Sequence, residues 1–214
     1  MKERNLAHMG SLLGGVVHNL NTPLMWVMGR AQLLQSRNER LESLKDLSED
    51  ELSRIREKND KDVSSILEGA EKIDSILKAL GYKIQMVNEG YTSVELREFL
   101  EMEVNFLMAD MRFKHETKRE FFSGNRSYYA KVDYNALAGA VTGTINAIMG
   151  HTEKGRTLKI SLDSGVIHLA CPELKLDDAL RLEIDAVCKD ILTAADVHLE
   201  DTDGLTVTIA LKDL

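Results

Sequence analysis

The apolar positions near the N-terminus recur at steps of three and four. Leu6, Leu13, Val17, Leu20, Leu24, Val27, Ala31 and Leu34 fall on one stripe of a helix, since a helix turns about 100° per residue. The spacing predicts a long helix over 4–36 whose stripe is a buried seam. Ser36 to Asp50 is polar and charged and reads as a loop and the approach to a second helix. Leu52, Ile55, Val63, Ile66, Ala70, Ile73, Leu77 and Leu80 then alternate threes and fours, with Asn59 interrupting them. Two such helices form an antiparallel hairpin. A hairpin buries only one side of itself and tends to pair with a second copy as a four-helix bundle.

Beyond the hairpin the period changes. Gly81 to Gly90 reads as a linker. Thr92 and Glu95 form a capping box, predicting a helix to about Phe113. Lys118–Phe122 and Tyr128–Val132 read as strands, and Asp133 starts a helix through Ile148. Thr157–Leu162 and Val166–Ala170 flank the turn Asp163-Ser164-Gly165. A helix follows over Leu176–Ala194. Val197–Glu200 and Leu205–Leu211 then flank the Asp203-Gly204 turn. Strands and helices mix without strict βαβ alternation. The expected class is therefore α+β: a helical hairpin over 1–84, then a sandwich over 92–214 with helices on one face of a mostly antiparallel sheet.

Composition changes this picture little. The 214 residues are 43% hydrophobic and 29% charged, as in an ordinary soluble protein. The net charge of −8 and the lack of a basic stripe argue against a nucleic-acid partner. Cys171 and Cys188 have no metal-like spacing, and no two of His8, His115, His151, His168 and His198 stand at a helical i, i+4 spacing. No metal site is expected. No apolar run reaches bilayer-spanning length, and MKERNLAHMG lacks a signal-peptide core. The expectation is a cytoplasmic protein with no room for a sensor segment before its N-terminal helix.

The chemistry gathers in Gly10 to Leu24. His18 points away from the apolar stripe, and its same-side neighbours are Ser11, Gly14, Gly15, Thr22, Met25 and Gly29. Adjacent glycines within a helix cost about 1 kcal/mol each relative to alanine. A helix carrying them beside an imidazole suits the close approach of another molecule. Gly10, Leu12 or Leu13, Gly15, His18, Asn19, Leu20, Asn21, Thr22, Pro23 and Leu24 resemble the phosphoacceptor box of two-component sensor histidine kinases. The resemblance implies that His18 is the phosphorylated residue. It implies that Thr22 stands where the family orients a hydrolytic water, and that Pro23 kinks the helix. Ser11, Gly14, Gly15, Asn21 and Met25 would then face the partner. Asn19 replaces the family's usual acid, and an amide cannot take the imidazole proton during attack on ATP.

The second half resembles the ATP-binding domain of the same kinases in element order. Val94–His115 looks like its first helix and Val132–Ile148 like the helix bearing its paired asparagines. Of that pair only Asn146 is present, with Thr142 at the other position. The family's Asp-x-Gly-x-Gly turn is replaced by Ala170-Cys171-Pro172-Glu173-Leu174, and no glycine lies between Gly165 and Gly204. Leu182 and Ile184 are expected to fill nucleotide space, and Asp177, Asp178, Glu183 and Asp185 to repel phosphates. The expected outcome is a kept fold without a nucleotide site: no cofactor, with magnesium supplied by a partner receiver domain. In this the chain looks like the dimeric histidine phosphotransferases of phosphorelays, those of sporulation among them. The resemblance thus implies a homodimer that relays phosphoryl groups between receiver aspartates through His18. A non-catalytic scaffold or a response-regulator phosphatase using Thr22 are the alternatives. The missing glycines argue against an active ATP-dependent kinase.

Overall fold

The computed structural model describes residues 1–43, 48–124 and 126–212. Two helices come first, α1 (Lys2–Ser43) and α2 (Glu49–Glu89). β1 (Tyr91–Glu95), α3 (Leu96–Leu107), α4 (Met111–Glu116), β2 (Thr117–Ser123) and β3 (Tyr129–Asp133) follow. The remainder is α5 (Tyr134–Gly150), β4 (Arg156–Asp163), β5 (Val166–Cys171), α6 (Asp178–Cys188), a 3-10 turn (Lys189–Ile191), β6 (Ala195–Asp201) and β7 (Leu205–Leu211). The class is α+β: a long helical hairpin, then a sheet packed with helices. The chain divides into two compact units, one of Val16–Lys78 and one of Met1–Gly15 with Ala79–Leu214.

The Val16–Lys78 unit is helical. The apolar stripes that sequence predicts as one buried seam split here into two faces. Ile55, Ile66, Ile73 and Leu34 are half-buried. Val17, Leu24, Val63, Leu67 and Leu77 are exposed, each by 43% or more. The Asn59 interruption is a polar layer. Arg37 donates to Asn59 Oδ1 at 2.7 Å and to the Asp62 carboxylate, and Arg30 reaches Asp62 Oδ1 at 2.9 Å. Asp62 is almost fully buried, and Arg37 and Arg30 hold its carboxyl below the usual carboxylate range. Gly69 is required where the helices approach: a Cβ there would lie 2.7 Å from Val27 Cγ2 and 3.2 Å from Pro23 O.

In the other unit, β2-β4-β5-β7-β6 form one sheet. β2 and β4 are parallel, and the other neighbours are antiparallel. Leu158, Ile160, Ile167, Leu169, Val207 and Ile209 alternate into the core, as a half-buried sheet demands. The expected hairpins are present. Ser164 (φ 51°) and Gly165 (φ 80°) make the two-residue turn between Asp163 and Val166. Gly204 needs both its left-handed φ of 92° and its missing side chain, because a Cβ would meet Pro172 O at 2.3 Å.

Four expectations fail for definable reasons. The Gly81–Gly90 linker is helix, because Ala79, Lys83, Met86 and Val87 bury one face of α2. Gly90 (φ 71°) ends that helix. Thr92–Glu95 is strand β1, paired with β3 from Tyr91↔Asp133 to Glu95↔Tyr129. Glu95 itself is the N-cap of α3, accepting from the Glu98 N–H at 2.6 Å. The single helix to Phe113 breaks at Met108–Asp110, where Asp110 accepts from Arg112 N and Phe113 N and starts α4. Similarly, the last helix stops at Cys188, short of Ala194.

That break receives the N-terminal helix. A Cβ on Gly15 would lie 1.8 Å from Ala109 O. Asn5 Nδ2 donates to Asn135 O and Oδ1, both at 3.0 Å, and Met9 and Leu12 are buried. Gly15→Ala forces the helix off the Ala109 turn. It is expected to cost about 1–3 kcal/mol or more as overpacking, whereas Gly14→Ala, with nothing within 4 Å, is expected to stabilise by up to about 1 kcal/mol. Urea midpoints of the two variants check the contrast.

Candidate functional site

The site candidates of the Val16–Lys78 unit lie on one stretch of α1. His18, Asn21, Thr22 and Met25 are exposed, Met25 by 71%. His18, Thr22 and Met25 stand at i, i+4 and i+7, so one helical face brings them together. Asn19 is half-buried and Pro23 buried. Thr22 donates to the His18 carbonyl at 3.4 Å, a long bond that leaves its oxygen able to accept. Pro23 has no N–H for the Asn19 carbonyl, so the helix ladder has a gap one turn from the imidazole. Gly69 on α2 faces Pro23 and Val27, and sequence reasoning passed it over. A glycine amid a strong helical pattern is its visible signal.

Ser11, Gly14 and Gly15 belong to the other unit. Ser11 and Gly14 are exposed, and Ser11 Oγ donates to His8 O at 2.7 Å. Gly15 is half-buried, with its bare face turned to Ala109. Of the two adjacent glycines, one is thus open and the other serves an internal contact.

The helix that sequence aligns with the paired asparagines is α5. Thr142 is buried and returns its hydroxyl to Ala138 O at 2.6 Å. Asn146 is exposed. α6 lies directly against this helix. A Cβ on Gly143 would be 2.7 Å from Val187 Cβ, and Thr144 contacts Cys188 Sγ at 3.5 Å. His151 meets Glu183 at 3.1 Å. Ile184 is buried, but Leu182 is exposed by 69%, so Leu182 does not fill the space sequence gives it. Asp177 caps α6, accepting from Leu180 N at 2.8 Å. The middle of α5 is thus packed directly against α6. Cys171 and Cys188 are both buried, which pushes their thiols up. Among the described residues no group of three His, Cys, Asp or Glu side chains could hold a metal ion.

Sequence reasoning also missed a buried charge cluster. Lys83 Nζ lies 2.5 Å from Glu103 Oε2, and the Tyr134 hydroxyl donates to Glu103 Oε1. All three residues are about 1% exposed or less. Lys83 sits 5.3 Å from the Phe106 ring centre and 5.8 Å from that of Tyr134. His8 is held below its usual pKa by burial and by Lys83.

No protein-family model and no curated sequence matches the chain. Solved structures do. The cytoplasmic segment of the histidine kinase QseC aligns over 58% of this chain and 79% of its own, at 10% identity and a TM-score of 0.46. The Acinetobacter baumannii histidine kinase AdeS aligns over 92% of this chain and 98% of its own, at 15% identity and a TM-score of 0.41. The histidine kinase ThkA, solved in complex with the response regulator TrrA, aligns over 100% of this chain and 64% of its own, at 13% identity and a TM-score of 0.44. At these identities the similarity is one of fold alone. Among the described residues, no helix is long and apolar enough to cross a membrane.

Proposed function

We propose that the protein is a cytoplasmic histidine phosphotransfer protein of a two-component phosphorelay, with residues 1–84 as its dimerising, phosphotransfer hairpin and 92–214 as an ATPase-like domain without nucleotide. The observation that carries this is the exposed His18, with Thr22 and Met25 on its face. A ring nitrogen of His18 attacks the phosphorus of a receiver's phosphoaspartate. The N–P bond forms, the bond from phosphorus to the aspartate oxygen breaks, the carboxylate is released, and the ring proton passes to water. A second receiver aspartate reverses the step. Such a reaction asks the phosphotransfer protein chiefly for position, so an amide at Asn19 is tolerable. The receiver supplies the magnesium.

The exposed apolar stripes favour a homodimer. Val17, Leu24, Val63, Leu67 and Leu77 lie 43–59% exposed on two helices whose opposite faces already pack together, and a second hairpin would cover them as a four-helix bundle. Sedimentation equilibrium is expected to return twice the 24.0 kDa chain mass, and a monomer at all concentrations would remove this part of the proposal. The relay itself is tested by incubating the protein with radiolabelled, phosphorylated receiver domains and following label onto the chain and off to a second receiver. Stable binding without transfer would instead make it a scaffold. Regulator dephosphorylation that depends on Thr22 but not on His18 would make it a phosphatase.

A further inference from the structure

α2 pairs its charges by rule along most of its length. Lys61 meets Glu57, Lys72 meets Glu68 and Lys78 meets Asp74, each at i, i+4 and 2.6–2.8 Å. Arg54 and Lys58 break the rule. They stand at the same spacing with the same sign, and like charges so placed destabilise a helix. Among the described residues, neither head group makes an ion pair or a hydrogen bond. On α1, Arg37 and Arg40 repeat the arrangement at i, i+3. These cations line one cleft of about 380 Å³ together with Leu41, Ile55 and Glu51. Among the described residues lining the cleft, Glu51 is the one carboxylate. It already accepts from Ser48 N at 3.0 Å and Ser48 Oγ at 2.8 Å. Arg37 is fixed from behind by Asn59 and the buried Asp62. So Arg37 is held in place, Arg54 and Lys58 act on Glu51 and Glu57 only through space, and half-buried Leu41 and Ile55 offer a small apolar wall. In a chain of net charge −8, the described lining of this cleft is mostly cationic.

We infer that this cleft binds a small soluble anion carrying two or more phosphate groups, of the nucleoside diphosphate type, with the phosphates on Arg37, Arg54 and Lys58 and the organic part on Leu41 and Ile55. Guanidinium and ammonium groups on opposite walls suit several phosphate oxygens at once, and the volume lies within the range of small-molecule sites. The cleft is not the phosphotransfer site. Arg37 stands 19 positions after His18 on the same helix, about 28 Å away at 1.5 Å per residue. Sequence inspection shows no basic stripe because the cations come from two separate helices.

The test is titration calorimetry of the full chain at low ionic strength with inorganic pyrophosphate, ADP and inorganic phosphate, and a pelleting assay with phosphatidylserine vesicles. Pyrophosphate and ADP are expected to saturate one site per chain. The Arg54→Gln/Lys58→Gln variant, confirmed folded by circular dichroism, is expected to weaken both by on the order of tenfold or more. It should accept label from a phosphorylated receiver as wild type does, so loss of anion binding and loss of relay activity are separately visible. Absence of saturable binding, equal binding by the variant, or binding to vesicles alone would overturn the inference.

Discussion

If the proposed relay holds, His18→Gln is expected to abolish labelling of the protein by a phosphorylated receiver, down to background. Glutamine matches histidine in polarity and approximate reach, but its amide has no lone pair able to displace a carboxylate from phosphorus. The substitution removes the proposed nucleophile and little else. The fold should not respond, because His18 is exposed on α1 and surface substitutions of this kind usually stay within about 0.5 kcal/mol. The unfolding midpoint and sedimentation mass of the variant are therefore expected to equal those of wild type, which separates lost chemistry from lost structure. Thr22→Ala makes the internal control. It removes only the long bond to the His18 carbonyl and is expected to leave labelling in place. Undiminished labelling of His18→Gln would end the relay reading, whatever became of the dimer.

The hairpin, both β-turns, the strands other than β1 and the start of α5 were legible because each rests on local chemistry: a 3.6-residue period, glycine at positive φ, an aspartate before a helix. What was hidden depends on tertiary partners. Nothing local distinguishes the half of the α1 and α2 stripes that packs within the chain from the half left bare at Val17, Leu24, Val63 and Leu77. Residues 81–90 read as linker because their glycines are local, whereas the burial of Lys83, Met86 and Val87 that makes them helix is not. At the candidate site, His18 and its exposed face were readable from spacing. The contact that explains Gly15 was not, because Ala109 lies 94 positions further on. Two features left a trace that could have been read. Glu103 falls on the apolar stripe of Leu96, Phe99, Leu100 and Phe106, and Lys83 falls between Ala79 and Val87. A charge on an apolar stripe demands a partner, and these two are each other's.

Glu103→Leu is accordingly expected to be the most destabilising single substitution away from the helical hairpin, at about 3–5 kcal/mol. It leaves the Lys83 ammonium buried among Phe106 and Tyr134 with no counter-charge, and that is a large share of a typical total of about 5–15 kcal/mol. Adding Lys83→Met should recover much of the loss, because a buried ion pair replaced by apolar side chains is often near neutral. The recovery is incomplete while the Tyr134 hydroxyl lacks its acceptor, a residual of about 1–3 kcal/mol, which Tyr134→Phe should remove. pH supplies an independent readout. Burial first, and Glu103 second, push the Tyr134 phenol well above its ordinary range. A folded-state pKa above the unfolded value near 10 means this contribution is fully present below about pH 10 and lost as pH rises beyond it, by up to about 1.4 kcal/mol per pH unit. Tyr82, packed edge-on against Tyr134 at 6.2 Å, is raised by burial in the same direction. Wild-type stability should therefore fall steeply above pH 10, and variants carrying Tyr134→Phe should fall less steeply. Urea denaturation across pH 7–11 measures both effects, and a Glu103→Leu protein as stable as wild type would show that the buried charges do not depend on one another.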